Sequence, residues 1–255
     1  MRFATRIALA AAAILAATLG AEAKDWKTIR IGTEGAYPPF NFIDSNQQLQ
    51  GFDIDIAKAV CEKLKAECTF VAQDWDGIIP ALQAGKFDAI FASMSITDER
   101  KKVVDFSRAY YNTPSAFFAV KGSGITDNSP AGLKGKTLGA QSSTIQSGYL
   151  ESNYKDFDVK LYPTQDEVNL DLISGRIDAL LVDKVVGTDW LKTKDGSCCE
   201  EVGADVPLGG GVGAAVRKDD TDLRDQISKA IEEIKADGTY AKLNAKYFDF
   251  SIWKD

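Results

Sequence analysis

Two segments of this chain nearly repeat each other, and polar side chains follow both of them. The first covers residues 82–90 and is followed by Ser93 and Ser95; the second covers residues 172–180 and is followed by Asp183. Each segment predicts a helix stopped by a glycine and then an apolar strand. Because strand carboxyl ends face the ligand crevice in open α/β sheets, these side chains predict a clamp for a small zwitterion. Chance similarity of two helix–strand units is the alternative.

The chain contains no histidine, which limits the chemistry it can perform. No Ser-His-Asp or Cys-His nucleophile can be assembled, and the commonest catalytic proton shuttle is missing. A zinc site would need thiolate or carboxylate ligands, and the cysteines are badly spaced for one. We therefore expect no metal and no cofactor, and binding is favoured over catalysis.

The cysteines fall into two pairs with different expectations. Cys61 ends a predicted helix and Cys68 begins the next predicted strand, so in an oxidising compartment we expect a structural disulfide between them. Cys198 and Cys199 are adjacent, and a bond between them would close a strained ring. That pair could form a vicinal disulfide, stay as free thiols, contact another chain, or have no functional consequence.

Strands and helices alternate along the chain, and they must position these residues. Strands are predicted over residues 28–33, 69–72, 87–92, 136–141, 159–162 and 177–182, and helices over residues 53–65, 76–84, 98–104, 222–237 and 240–247. This order predicts an α/β fold with two lobes, each a mainly parallel sheet flanked by helices. Lobe 1 is expected to cover residues 24–111 and 209–255, and lobe 2 residues 116–205. Crossings at residues 112–115 and 206–208 would form a two-strand hinge.

The amino terminus predicts export from the cell. Arg2 and Arg6 precede an apolar run over residues 7–20, and residues 21–23 offer a small-x-small cleavage site. This pattern is typical of a cleaved signal peptide over residues 1–23, and it predicts a protein of the periplasm. The chain carries 30 Lys and Arg against 37 Asp and Glu, with no basic run, so we expect no nucleic-acid partner.

Four motifs follow one another along the chain. They are G-F-D-I-D-I-A at residues 51–57, S-M-S-I-T-D-E-R at residues 93–100, D-F-S at residues 105–107 and A-D-G-T-Y-A-K-L at residues 236–243. In order and spacing the chain resembles the periplasmic polar amino-acid-binding proteins of ABC importers, which form solute-binding protein family 3. It looks most like the lysine/arginine/ornithine- and histidine-binding branch, which the Cys61/Cys68 spacing also matches. The resemblance implies a two-lobed periplasmic binding protein fold of type II.

The resemblance also implies which residues bind the charged ends of an amino acid. Arg100 would bind the α-carboxylate, since a guanidinium in the first turn of a helix needs an anionic partner. Ser95 would donate to the same carboxylate, and Ser93 would present its carbonyl oxygen to the α-ammonium. Asp183 would pair with that ammonium from the second lobe.

Ser142, Ser143 and Thr144 precede a predicted helix that begins at Ile145 at the cleft. A helix N-terminus with small hydroxyl residues can bind an anion, and the resemblance places Thr144 and Gln146 near the ligand. The family carries a second threonine where this chain has Ile145, so only the backbone N–H is available there. Thr144 could instead serve only as a helix cap, and Thr97 is interpreted as a cap rather than a ligand contact.

The first lobe is expected to select the ligand side chain. The resemblance places Tyr37 and Trp75 around it, where aromatic rings favour a flat guanidinium or another cation; either ring could instead be core. Glu34 stands where basic-amino-acid binders carry an aspartate for the distal cation, and Ala92 replaces a usual serine. The expected ligand is arginine, lysine, ornithine or histidine. Because of these two departures the sequence does not decide among them, and an opine-like conjugate or a neutral polar amino acid is the alternative.

The sequence therefore predicts a monomeric binding protein that delivers a polar amino acid to an inner-membrane ABC permease. The chain has no Walker A motif, so ATP hydrolysis would belong to another subunit. The alternative from another class is an enzyme on the same fold, because some periplasmic cyclohexadienyl dehydratases resemble these binders. Retention of Arg100 and Asp183 favours binding, whereas turnover of arogenate or prephenate would favour the enzyme.

Overall fold

The computed structural model describes residues 24–253, and the signal peptide predicted over residues 1–23 lies outside the described residues. The strands are β1 (Thr28–Thr33), β2 (Ala36–Tyr37), β3 (Asn41–Ile43), β4 (Leu49–Gln50), β5 (Glu67–Ala72), β6 (Ala89–Ile90), β7 (Asp105–Tyr111), β8 (Ser115–Val120), β9 (Thr137–Gln141), β10 (Asp158–Tyr162), β11 (Ala179–Asp183), β12 (Cys199–Val206) and β13 (Val212–Val216). The helices are α1 (Phe52–Leu64), α2 (Trp75–Gln83), α3 (Asp98–Lys101), α4 (Ile145–Asn153), α5 (Gln165–Ile173), α6 (Lys184–Trp190), α7 (Thr221–Ala236) and α8 (Thr239–Tyr247), and a short 3-10 helix covers Gly196–Cys198.

Two five-stranded sheets form the two lobes. The first has the order β5-β1-β6-β13-β7, and the second has the order β10-β9-β11-β8-β12. In each sheet four strands run in one direction, while β13 or β8 is antiparallel to its neighbours. Both antiparallel strands are the first that the chain forms after passing from one sheet to the other. The predicted α/β fold with two mainly parallel sheets is confirmed.

Helices with one apolar face cover the first sheet. In α7 the buried residues Leu223, Ile227, Ile231 and Ile234 recur at helical spacing, and α7 packs against α1, α8 and β7. Because these side chains are withdrawn from water together, α7 joins the carboxyl-terminal part of the chain to the first lobe. Within residues 24–253 no helix has the length and apolar character needed to cross a bilayer.

A disulfide fixes the end of α1 to the strand that follows it. The structure joins Cys61 to Cys68, with their Cα atoms 6.2 Å apart. Between them the helix ends at Lys65, whose φ of 55° reverses the chain toward β5. A bond across so short a loop removes conformations from the unfolded chain and holds α1 against the sheet edge.

Four strands beside the crossings were not predicted from the sequence. The chain passes through residues 112–114 from β7 to β8 and through residues 207–211 from β12 to β13. Nearly every residue of β8 and β13 is buried, so neither strand shows the alternation by which a half-exposed strand is recognised. One apolar cluster extends past the first crossing, from Tyr111 to Ala116, and includes residues of both sheets. The exact lobe boundaries stay a prediction.

Candidate functional site

All ten residues predicted to bind a ligand line one cavity between the two lobes. They are Glu34, Tyr37, Trp75, Ser93, Ser95, Arg100, Thr144, Ile145, Gln146 and Asp183, and Ala92 and Gln141 also line the cavity. Most of them lie at or just beyond the carboxyl ends of β1, β6, β9 and β11. This is the arrangement expected where the strand ends of open α/β sheets face a crevice. That these residues bind a ligand stays a prediction.

Arg100 presents a guanidinium to the cavity without a carboxylate partner. Its Nη1 donates to the Ser95 carbonyl at 2.9 Å and its Nη2 to the Ser143 carbonyl at 3.1 Å. The guanidinium lies 5.2 Å from the centre of the Trp75 ring. Burial lowers the pKa of Arg100 to about 10, although the charge of Asp183 opposes that shift. Within residues 24–253 Arg100 makes no ion pair, so an anion entering the cavity would complete its coordination.

Asp183 is the corresponding anion on the second lobe. The Tyr37 hydroxyl donates to Oδ2 at 2.8 Å, and the Gln146 amide donates to Oδ1 at 3.3 Å. Burial raises the pKa of Asp183 to about 6, and these hydrogen bonds only partly oppose the shift. Asp183 makes no ion pair with any described residue. An ammonium group placed here would compensate a carboxylate that is otherwise costly to ionise.

Glu34 gives the cavity a second acidic group. The Gln141 amide donates to Glu34 Oε1 at 2.6 Å from the opposite lobe, and it also donates to the Pro163 carbonyl at 3.1 Å. Burial raises the pKa of Glu34 to about 7, and the nearby carboxylates of Asp166 and Asp74 raise it further. Acidic groups that surround a buried carboxyl favour a cationic rather than an anionic neighbour.

A buried carboxylate beneath the cavity holds Ser93 in place. Ser93 has a φ of 51°, in the left-handed region that a serine rarely adopts. Asp53 Oδ2 accepts from the Ser93 backbone N–H at 2.7 Å and from its hydroxyl at 3.0 Å. Tyr110 donates to Asp53 Oδ1 at 2.7 Å, and Asn41 donates to Oδ2 at 3.1 Å. These bonds support the strained residue and so fix the backbone that faces the cavity.

The helix that begins at the cavity is capped by the predicted residue. The Thr144 hydroxyl accepts from the Ser147 backbone N–H at 3.1 Å and donates to the Gln141 carbonyl at 2.7 Å. Thr144 is therefore both a helix cap and part of the cavity wall, so the two interpretations are compatible. Thr97 caps α3 as predicted, by accepting from the Arg100 backbone N–H at 3.1 Å. α3 is shorter than predicted, because the chain turns after Lys101 and buries Val104 in the core.

Sequence reasoning selected Ser142 and Ser143 only as hydroxyl residues before a helix; it missed Gln141 and did not predict that the segment 141–143 spans the cleft. Beside the Gln141 contact, the Ser142 hydroxyl lies 2.9 Å from both carboxylate oxygens of Asp76. The Ser143 carbonyl accepts from Trp75 Nε1 at 3.2 Å as well as from Arg100. Each residue of the segment thus bonds to the first lobe. Gln141 could have been found from its place at the end of β9, by the strand-end argument that selected Asp183.

Comparison with known proteins now assigns the family. The family model of bacterial extracellular solute-binding proteins, family 3, matches residues 29–250. The chain belongs to this family. Membership confirms the resemblance predicted from the four motifs.

Known proteins similar to this family 3 chain are named as amino-acid binders. The chain is 42% identical over 234 residues to the L-arginine-binding protein of Pseudomonas aeruginosa, covering 89% of this chain and 90% of that protein. It is 40% identical over 236 residues to the lysine/arginine/ornithine-binding periplasmic protein of Escherichia coli, covering 90% of each. An ancestral arginine-binding protein solved with arginine superposes with a TM-score of 0.83 at 41% identity, covering 89% of this chain and 100% of that one.

Proposed function

We propose that this protein is a periplasmic solute-binding protein that captures a basic L-amino acid, with arginine as the first candidate, and delivers it to an ABC permease. The observation that carries the proposal is the charge pattern of one cavity. Arg100 and Asp183 are half-buried and face the cavity from opposite lobes without ion-pair partners among the described residues, and Glu34 adds a further carboxyl. An amino acid with a cationic side chain carries the three complementary charges.

The three charges are assigned to three groups of the ligand. Arg100 would bind the α-carboxylate, Asp183 the α-ammonium and Glu34 the distal cation. Tyr37 and Trp75 are nearly buried at the same cavity, with 7% and 8% of their surfaces exposed, so their rings are fixed walls for the ligand side chain. The names of the similar arginine- and lysine/arginine/ornithine-binding proteins support a basic ligand.

An enzyme on the same fold is the alternative of another class. The feature that would serve it is Glu34, because burial raises the pKa of this carboxyl to about 7, where it could exchange a proton. The Arg100 and Asp183 pair supports retention of a whole amino acid rather than its turnover. We therefore expect no loss of arogenate or prephenate on incubation with the protein, measured by chromatography.

Three analogues of arginine separate the three assignments when they are titrated by calorimetry into refolded, ligand-free protein. Agmatine lacks the carboxylate, des-amino arginine lacks the ammonium, and citrulline lacks the distal cation. We expect arginine to bind more tightly than all three. Each variant should lose discrimination against its own analogue: Arg100→Ala for agmatine, Asp183→Asn for des-amino arginine and Glu34→Gln for citrulline.

Failure of the proposal would be easy to recognise. If neither arginine, lysine, ornithine nor histidine binds, the proposed ligand class is wrong, and glutamine, octopine and nopaline are the next compounds to titrate. If arginine binds but Glu34→Gln leaves its preference over citrulline unchanged, then Glu34 does not select the distal cation.

A further inference from the structure

The adjacent cysteines of the second lobe have no part in the cleft. Cys198 ends the short 3-10 helix and Cys199 begins β12, and neither residue lines the cavity between the lobes. The structure holds both as free thiols with their sulfur atoms 3.0 Å apart. A disulfide needs a separation of about 2.05 Å, so bond formation requires a closing movement of about 1 Å.

The backbone on both sides of the pair is held by hydrogen bonds. Cys199 pairs with Val120 in the register of β12 and β8. The Cys198 carbonyl accepts from the Lys121 backbone N–H at 2.9 Å, and the Lys121 ammonium donates to the Ser197 carbonyl at 2.8 Å. These contacts hold the backbone of both cysteines, and in this arrangement the two sulfur atoms lie 3.0 Å apart.

No other thiol of the described residues competes for either sulfur. Cys61 and Cys68 are already joined to each other in the first lobe. Cys198 Sγ donates only a weak hydrogen bond to the Asp195 carbonyl, at 3.2 Å. Within residues 24–253, each of the adjacent cysteines is therefore the only available thiol partner of the other.

We propose that Cys198 and Cys199 are a modification site at which a disulfide-bearing thiol oxidant of the periplasm forms a vicinal disulfide. The thiolate of Cys198 attacks one sulfur of the oxidant's disulfide, giving a mixed disulfide and releasing one thiol of the oxidant. Cys199 then attacks the Cys198 sulfur and closes the ring, and its proton passes to the departing sulfur of the oxidant, which leaves as the second thiol. The protein loses two hydrogens, and the oxidant's disulfide is reduced to two thiols.

The burial of the two thiols assigns their order in this reaction. Cys198 is half-buried and can meet an oxidant, whereas only 1% of Cys199 is exposed. Burial raises the pKa of the Cys199 thiol to about 12, so this group is a poor initial nucleophile. Once Cys198 carries the mixed disulfide, Cys199 needs no access to solvent, because its target sulfur is already beside it.

Peptide mapping tests the modification directly. Protein released from the periplasm without reductant is denatured in iodoacetamide and digested with trypsin. Both adjacent cysteines fall in one peptide, residues 195–217, whereas Cys61 and Cys68 fall in different peptides. We expect peptide 195–217 to carry no alkyl group and to be lighter by two hydrogens than the same peptide after reduction. In Cys199→Ser the peptide cannot lose two hydrogens by forming this ring, and Cys198 should carry either the alkyl group or the oxidant in a mixed disulfide.

Two results would overturn this assignment. One is alkylation of both cysteines, even after the protein has been incubated with oxidised glutathione. The other is a disulfide that links peptide 195–217 to a second chain. The periplasmic location of the reaction rests on the proposed function. The mass of the peptide, however, does not depend on whether the protein binds an amino acid. A protein that fails the calorimetric titration can therefore still pass this test.

Discussion

Three ionisable side chains give the cleft its chemistry at the scale of single residues. Arg100, Asp183 and Glu34 are half-buried, and none makes an ion pair with a described residue. Arg100 bonds to a backbone carbonyl, Asp183 to a tyrosine hydroxyl and Glu34 to a side-chain amide. These neutral partners hold the charged groups in position without neutralising them. A charge held in this way favours whichever ligand group carries the opposite sign.

The first residue-scale prediction concerns the carboxylate of the ligand. Arg100→Ala should weaken arginine binding by about 2–5 kcal/mol, because the ligand carboxylate would then be buried without its partner. Calorimetric titration at neutral pH measures the loss. Arg100→Lys is the matched control, since it keeps the charge but cannot bind both carboxylate oxygens in the same plane, and it should bind with intermediate affinity. Unchanged affinity in the alanine variant would place the carboxylate elsewhere.

The second residue-scale prediction concerns pH. Because the pKa of Glu34 is raised to about 7, protonation below that pH removes the charge that would hold a distal cation. Arginine affinity should therefore fall between about pH 8 and about pH 5. Citrulline binding should fall less, because it does not need that charge, and Glu34→Gln should give both ligands the same pH profile. Parallel profiles in the unaltered protein would contradict the assignment.

The ligand-free protein should show the opposite trend in stability. A carboxyl whose folded pKa lies above its unfolded pKa binds protons more strongly when folded. The free energy contributed by Glu34 is therefore largest below its ordinary pKa of 4.5 and is lost as pH rises through about 7. Urea unfolding of Glu34→Gln should show a weaker loss of stability across this range than unfolding of the unaltered protein.

At the scale of elements, the cleft is built from the ends of strands and from one bridging segment. β1, β9 and β11 deliver Glu34, Gln141 and Asp183 to the same cavity, although they belong to two sheets. The segment 141–143 then bonds across the cleft at every residue. Its Ser142–Asp76 contact involves neither the cavity wall nor any proposed ligand group.

The prediction at this scale is a uniform loss of affinity. Ser142→Ala should weaken the binding of arginine, lysine and ornithine by the same amount, about 0.5–1.5 kcal/mol each. The reason is that the substitution removes a hydrogen bond between the two lobes. Stopped-flow fluorescence should show the loss mainly in the dissociation rate. Asp76→Ala is the partner variant, because an asparagine oxygen could still accept from Ser142, and combining the two should add little to either alone. A change in the order of ligand preference would show that Ser142 selects the ligand instead.

At the scale of the whole molecule, the two lobes are joined by two crossings and by one continuous apolar cluster. A ligand that contacts both lobes binds only when both are folded and close together. Ligand at about a thousand times its dissociation constant should therefore raise the free energy of unfolding by about 4 kcal/mol. The cluster that includes both sheets favours one cooperative transition rather than two.

Tryptophans in the two lobes can measure this cooperativity. Trp75 begins α2 in the first lobe, and Trp190 ends α6 in the second. The chain has four tryptophans, so we compare two ligand-free variants that keep only Trp75 or only Trp190, with the other three replaced by phenylalanine. Both variants should report the same urea midpoint. Different midpoints would mean that the two lobes unfold separately.

Much of the fold and cleft could be predicted because the signals are local. Glycine stops, helix caps and strand ends each involve only a few neighbouring residues, and they were sufficient to propose Ser93, Ser95 and Asp183 as cleft residues. The buried strands β8 and β13 were missed because an apolar run without alternation has no characteristic period. Asp53 lay within a recognised motif, yet its bond to Ser93 spans 40 positions and has no local signature.

The sequence by itself determined the family, the alternation of strands and helices, the lack of histidine chemistry and the residues that could serve a zwitterion. Only the tertiary structure decided which of these residues meet. The Glu34–Gln141 contact joins residues 107 positions apart, and Ser142–Asp76 joins residues 66 apart. The physical reason is that such contacts depend on how the two sheets are placed relative to each other. The spacing of residues along the chain does not show which residues of one sheet lie close to which residues of the other.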